Sequence, residues 1–260
     1  MNSTEINLPA AETFPAHQVP WGVRDLILAV VVAALGLVAL NLIVLGASTV
    51  LHFPLRQNPD ALAIFLAVQD LIVVATAWLF SVVLYRVGWD RLGLRPYPVA
   101  MGCALSTGLL LLSYFIRLIY GLIAFALGLR LQQQDVLGRL DTTGIGFLLT
   151  LLVAAVIAPI AEEIFFRGFM YGGLRGRIGV IGATVVSTLF FTALHFSLEL
   201  FIPIFVLGIF LVWLYEHTGS LYPGIFLHAA NNGLSLILVF ILQASGWMPP
   251  GSDLLVFFLR

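Results

Sequence analysis

An all-α fold, a polytopic membrane helix bundle of about seven transmembrane helices, follows from two features of this sequence. First, apolar residues make up 61% of its 260 residues and charged residues only 10%, with a mean hydropathy of +1.07. Soluble domains run nearer half apolar and about a quarter charged. Charges this sparse do not cover a water-facing surface, so lipid must be part of the solvent. Second, the apolar residues gather into runs near the ~20 residues that a helix needs to cross a bilayer.

Residues 26–51 hold no Asp, Glu, Lys or Arg and predict the first helix. Residues 61–85 predict the second, interrupted by Asp70, and residues 99–129 the third, interrupted by Arg117. Residues 144–171 predict the fourth, with Glu162, Glu163 and Arg167 in its latter half. The fifth is expected over about 183–197 with His195 inside it, and the sixth over 200–215 between Glu199 and Glu216. The seventh, 221–243, carries His228, Asn231 and Asn232. Turn residues punctuate these runs. Asn58-Pro59-Asp60 caps the second helix, and Arg95-Pro96-Tyr97-Pro98 closes the loop before the third. Gly172, Gly173, Gly176, Gly179 and Gly182 predict a loop between the fourth and fifth, since glycine disfavours helix. The organisation read from this is a polar N-terminal tail (1–23), three helices (24–143), a helical core (144–243) and a C-terminal tail (244–260).

Other classes fall away on composition. The net charge of −1 gives no reason to expect nucleic-acid binding. Cys103 is the single cysteine, which rules out an internal disulfide or a cysteine-built metal site. Residues 1–20 hold Glu5 and Glu12 and no basic region of the signal-peptide kind. All twelve basic residues are arginines. Arg24, Arg86, Arg91, Arg95, Arg175 and Arg177 fall on one side of the membrane, and Arg56, Arg130, Arg139 and Arg260 on the other. The arginine-richer side is expected to be cytoplasmic, which puts the N-terminus there.

Charges within a bilayer cost on the order of 2.5–3.5 kcal/mol each. Glu162, Glu163 and Arg167 must therefore be paired or face a watered cavity. Glu163 and Arg167 are four apart and can pair along one helix face. Glu162 is turned away by about 100° and lacks that partner. Pro159 cannot donate to the carbonyl of Ala155, which predicts a kink beside the glutamates. A stabilising ion-pair cluster is the plain alternative to a reactive site. Phe191 and His195 share a helix face, as do His228 and Asn232. Polar groups in lipid need partners, and these are one another's nearest candidates. Asp70 and Arg117 lie at similar expected depths and predict a structural ion pair between the second and third helices.

Three strings now stand in order on three helices: Glu162-Glu163-Ile-Phe-Phe-Arg167, Phe191-Thr-Ala-Leu-His195 and His228-Ala-Ala-Asn-Asn232. They resemble the E-E-x-x-x-R, F-x-x-x-H and H-x-x-x-N motifs of the CPBP intramembrane proteases, which include the type II CAAX prenyl endopeptidases and bacteriocin-processing or abortive-infection relatives. The resemblance covers about residues 145–240. It implies an endopeptidase acting on a membrane-associated substrate, CAAX-processing-like and so prenylated in the family precedent. Glu162 would be the base that activates water, His195 would help to hold that water, and His228 and Asn232 would stabilise the oxyanion. Glu163 and Arg167 would position the motif helix, with Phe191 in support. Such a glutamate protease needs no cofactor.

The alternative chemistry is zinc held by Glu162, His195 and His228, a His₂Glu set, although no H-E-x-x-H or H-x-x-E-H string occurs. Two other functions fit the same polar cluster: a non-catalytic scaffold or bacteriocin-immunity protein, and a small-solute transporter. The expected setting is a bacterial plasma membrane, with membrane lipid as a standing partner.

Overall fold

The computed structural model describes residues 19–52, 58–128 and 144–245. The loops carrying Arg56, Arg130 and Arg139, the tail through Arg260, and the first 18 residues lie outside the described residues, and so does the expected C-terminal tail beyond Ser245.

Every long element among the described residues is a helix. They are α1 (Val23–Val50), α2 (Pro59–Val83), α3 (Val99–Ala126), α4 (144–178), α5 (180–193), α6 (Phe201–Thr218) and α7 (Tyr222–Ala244). Among the described residues, six stretches are long and apolar enough to cross a membrane, the fourth being the continuous run Gly146–Ala193. That run is bent at Gly179, where φ is +74° and ψ 173°. Only glycine adopts this backbone conformation readily. Counted on either side of the bend, the long helices among the described residues number seven. This is an integral membrane protein with an all-α, polytopic bundle.

The expected glycine-rich loop is not there. The chain stays helical through Gly172, Gly173 and Gly176 and breaks only at Gly179. Within a bilayer an unravelled backbone has no water to bond, so helix persists despite glycine's poor propensity. Two of the glycines near this end of α4 serve packing instead. A Cβ at Gly173 would come within 2.9 Å of the Trp21 ring, and one at Gly168 within 2.5 Å of the Leu92 carbonyl oxygen. Trp21 is fully buried there, its indole Nε1 donating to the Phe169 carbonyl at 2.9 Å.

α3 turns one stripe inward: Gly102, Ser106, Leu110, Ser113, Arg117, Gly121 and Ala124. The three-and-four spacing with small residues lets backbones approach closely, as membrane helix contacts require. The stripe packs on α6 and α7. Ser106 donates to the Pro223 carbonyl at 2.7 Å, and the Tyr114 hydroxyl donates to the Asn231 carbonyl at 3.2 Å. By contrast, α1 packs mainly on α2 and leaves most of its apolar side chains to lipid. Asn58 caps α2 as expected, its side chain accepting from Ala61 N at 2.9 Å.

At the arginine-richer end the bundle is tied by polar contacts. Arg175 pairs with Glu216 along one guanidinium edge, Nε and Nη2 each donating to one carboxylate oxygen. Tyr85, beyond the span of α2, donates its hydroxyl to Asp25 at 2.7 Å. That bond raises the Tyr85 pKa, because the phenol's proton is held by a carboxylate.

Candidate active site

Two widenings of α4 build the site. Over Val153–Ile157 and Glu163–Tyr171 the helix takes π geometry, bonding i to i+5. In the first, the Ala158 N–H bonds back to the Val153 carbonyl. In that register the next donor, opposite the Ala154 carbonyl, would be residue 159. Pro159 has no N–H, so the Ala154 carbonyl is released from the helix. Asn232 of α7 takes it, Nδ2 donating to the Ala154 oxygen at 3.0 Å. The proline expected to kink α4 is thus absorbed as a π-bulge, and the freed carbonyl becomes a contact to α7.

The second widening starts at Glu163, directly after Glu162. Glu163 and Arg167 pair as expected, with Nη1 2.9 Å from Oε1 and both side chains about 1% exposed. Arg167 also lies over the Phe191 ring, 4.3 Å from its centroid, and reaches the Gly208 carbonyl. The Glu163 Oε1 that accepts from Arg167 also faces His228 Nδ1 at 3.2 Å. A carboxylate held by a guanidinium only accepts, so Nδ1 must carry the proton and donate. This places the other ring nitrogen, Nε2, 3.6 Å from Glu162 Oε2, at ion-pair rather than hydrogen-bond distance. Arg167, Glu163, His228 and Glu162 therefore stand in one line.

Glu162 opens onto a cavity of about 430 Å³ bounded by α1, α2, α4, α5 and α7. Its polar lining is Glu162, His195, Asn232, Asp70 and Gln69; the rest is aliphatic or aromatic. His195 sits just past the end of α5, not inside it as expected, because that helix stops at Ala193. Its Nδ1 is 2.8 Å from the Phe191 carbonyl, and its ring meets the Phe191 ring edge-on at 4.7 Å. Glu162 and His195 reach one cavity because the bend, not a loop ending near residue 182, sets their levels. Glu162 is seventeen residues before Gly179 and His195 sixteen after it, so at ~1.5 Å per residue the two arms match.

Of the sequence-predicted residues, Glu162, His195, Asn232 and Phe191 share the cavity wall. His228 is 2% exposed and lies behind Glu162, both nitrogens turned to the glutamates. Glu163 and Arg167 are deeper still. Among the described residues, no three His, Cys, Asp or Glu side chains converge to hold a metal ion. The Glu162, His195 and His228 side chains form no such convergence: His228 Nε2 stands 3.6 Å from Glu162 Oε2, and His195 faces the cavity from another helix end.

The expected Asp70–Arg117 pair is not formed. α3 packs on α6 and α7, so Arg117 faces α7 and donates from Nη2 to Asn231 Oδ1 at 3.2 Å. Asp70 instead lines the cavity with Glu162. Asp70, Asn231 and the Ala154 carbonyl are the site members that motif spacing did not reveal. For Asn231 the signal was its place beside Asn232; for Asp70 it was a lone carboxyl in an otherwise apolar run.

Residues 144–234 match the family model described as type II CAAX prenyl endopeptidase Rce1-like. This segment contains all three motifs, and the resemblance they carry is borne out. YdiL, a candidate membrane peptidase of Bacillus subtilis (strain 168), is 28% identical over 90 residues, which cover 35% of this chain and 37% of YdiL. The match thus spans little more than a third of that relative's length. No solved structure matches the chain.

Proposed function

We propose that this membrane protein is an intramembrane endopeptidase of the CPBP type, hydrolysing a peptide bond of a membrane-associated substrate with water activated by Glu162. The observation that carries this reading is the shared cavity. A carboxyl group, an imidazole and a carboxamide, drawn from three helices, face one largely apolar space.

The roles follow from placement. Glu162 takes a proton from water, and the water oxygen attacks the scissile carbonyl. His195, across the cavity, holds that water. Asn232 offers an N–H to the oxyanion, the kind of donor that acts best where water is excluded. Glu162 then returns the proton to the leaving amine. The family resemblance implies His228 as an oxyanion donor; its position behind Glu162 supports a different duty. With Nδ1 donating to Glu163, the ring is held beside the Glu162 carboxyl, its Nε2 3.6 Å from Oε2, and limits the positions that carboxyl can take. No step uses a metal ion.

The lining also bears on the substrate. Asp70 and Glu162 present carboxyl groups, and none of the described residues lining the cavity is Lys or Arg. A substrate's free C-terminal carboxylate, as in a CAAX tripeptide, meets no counter-ion there, and like charges at short range repel. This favours an internal bond of an apolar segment over a bond close to a free C-terminus. The arginine-richer end, with Arg24, Arg86, Arg91, Arg95, Arg175 and Arg177, supports an N-terminus in the cytoplasm.

The test is a comparison of new protein termini in membranes from cells carrying wild type or Glu162→Ala at matched expression. Termini found only with wild type support proteolysis and reveal the sequence cleaved. Identical termini in both, under conditions in which the protein is required, refute it.

A further inference from the structure

Arg117 is 2% exposed, within a membrane helix, and has no acidic partner among the described residues. Among the described residues its Nε and Nη1 make no hydrogen bond, and besides Asn231 it has the Tyr114 ring, 5.3 Å from the guanidinium carbon. A buried charge held this sparsely is costly, and stability gives no account of it. What it touches does.

The contact begins a chain that ends in the cavity. Arg117 Nη2 donates to Asn231 Oδ1 at 3.2 Å. Asn231 Nδ2 donates to Asn232 Oδ1 at 3.1 Å. Asn232 Nδ2 donates to the Ala154 carbonyl at 3.0 Å. A carboxamide is nearly symmetric in shape, and either end can face a given direction unless its neighbours decide. Here both ends of the chain are decided. Arginine can only donate and a carbonyl can only accept. Every bond between them must therefore run one way, and Asn232 must keep Oδ1 towards Asn231 and its NH₂ towards Ala154. The second proton of that NH₂ is left for the cavity that Asn232 lines.

We propose that Arg117 is a positioning residue of the site, fixing through Asn231 which end of the Asn232 carboxamide faces the cavity. Its catalytic consequence rests on the protease reading above; the orientation itself does not. The donor-only guanidinium, set outside the cavity and away from the glutamates, polarises two amides in series and keeps an N–H aimed at the developing oxyanion.

Two measurements test this, in wild type, Arg117→Leu, Arg117→Lys and Asn231→Asp, each first shown monodisperse in detergent. The chain has six asparagines, so selective ¹⁵N-asparagine labelling gives a short list of side-chain amide signals. Arg117→Leu is expected to shift the Asn231 and Asn232 signals together and leave Asn41 and Asn58 in place; an unmoved Asn232 signal overturns the proposal. The second measurement is cleavage of a substrate identified by the terminus comparison. Arg117→Leu is expected to lower kcat by about tenfold to a hundredfold, reaching at most the lower end of the ~10²–10³ loss seen for removing an oxyanion donor outright, with KM within about twofold. Arg117→Lys, which keeps a charged donor, should recover part of the loss. Asn231→Asp still accepts from Arg117 but cannot donate to Asn232, and it should lower kcat by a similar factor. In an Asn232→Ala background these changes should have no further effect; a loss of the same size there overturns the positioning role. Absence of any Glu162-dependent cleavage in wild type counts against the protease reading alone, and the amide signals still decide the orientation.

Discussion

Glu163 and Arg167 form an ion pair fully enclosed by protein, 2.9 Å long, one turn apart on a helix that has widened to π geometry. Neither group reaches the cavity. Removing one partner strands the other charge away from water, at a cost of about 3–5 kcal/mol. Arg167→Ala should therefore lower the yield of monodisperse protein and its thermal midpoint. Asn232→Ala should leave both near wild type while cleavage falls. Equal losses of folded protein in the two variants would erase the division between structural and reactive members.

Exchange of Asp70 and Arg117 is a second test. The two do not pair: Arg117 bonds Asn231 and Asp70 faces the cavity. The double variant Asp70→Arg with Arg117→Asp should therefore not restore the expression lost in either single Ala variant. Full recovery would mean that the helices carrying them pack differently.

Glycine substitutions probe the packing of α4. Gly168→Ala drives a Cβ to 2.5 Å from the Leu92 backbone oxygen, where nothing flexible can yield. Overpacking of this kind costs about 1–3 kcal/mol. Gly176→Ala meets open space and keeps a helical backbone, so it should be neutral or slightly stabilising, as alanine is the better helix former. Thermal midpoints of the two variants in detergent, taken side by side, should differ in that order.

Metal removal is the fourth test. No three ligand-type side chains converge among the described residues. Glu162-dependent cleavage should survive prolonged treatment with a strong zinc chelator at unchanged rate. Loss of activity restored by added zinc would require the Glu162, His195 and His228 side chains to regroup.

Much of this was legible in the sequence for a simple reason. In a bilayer an apolar run announces a helix, and a charge within it announces a partner. The Glu163–Arg167 pair, the Asn58 cap and the meeting of Glu162, His195 and Asn232 all follow from such spacing. What misled was local propensity. Five glycines read as a loop, because glycine's cost in helices is measured in water, where the unravelled backbone is solvated. The partners of Asp70 and Arg117 were hidden for another reason: equal depth does not imply adjacency, and only packing decides that α3 lies on α7. The π-bulge at Val153–Ile157 is foreshadowed by Pro159, but the capture of the Ala154 carbonyl by Asn232 requires knowing which helix lies opposite.

The bend at Gly179 has a mechanical meaning. A loop between two helices can lengthen or shorten and absorb a change of length on either side; a joint one residue wide cannot. The arms that run from it to Glu162 and to His195 act like the jaws of a caliper whose opening is set by the length of each jaw. One residue added to either jaw would advance its tip by ~1.5 Å and swing it by ~100°, carrying the carboxyl or the imidazole off the cavity wall. The hinge thus holds the gauge of the site from its far end, although it touches nothing in it.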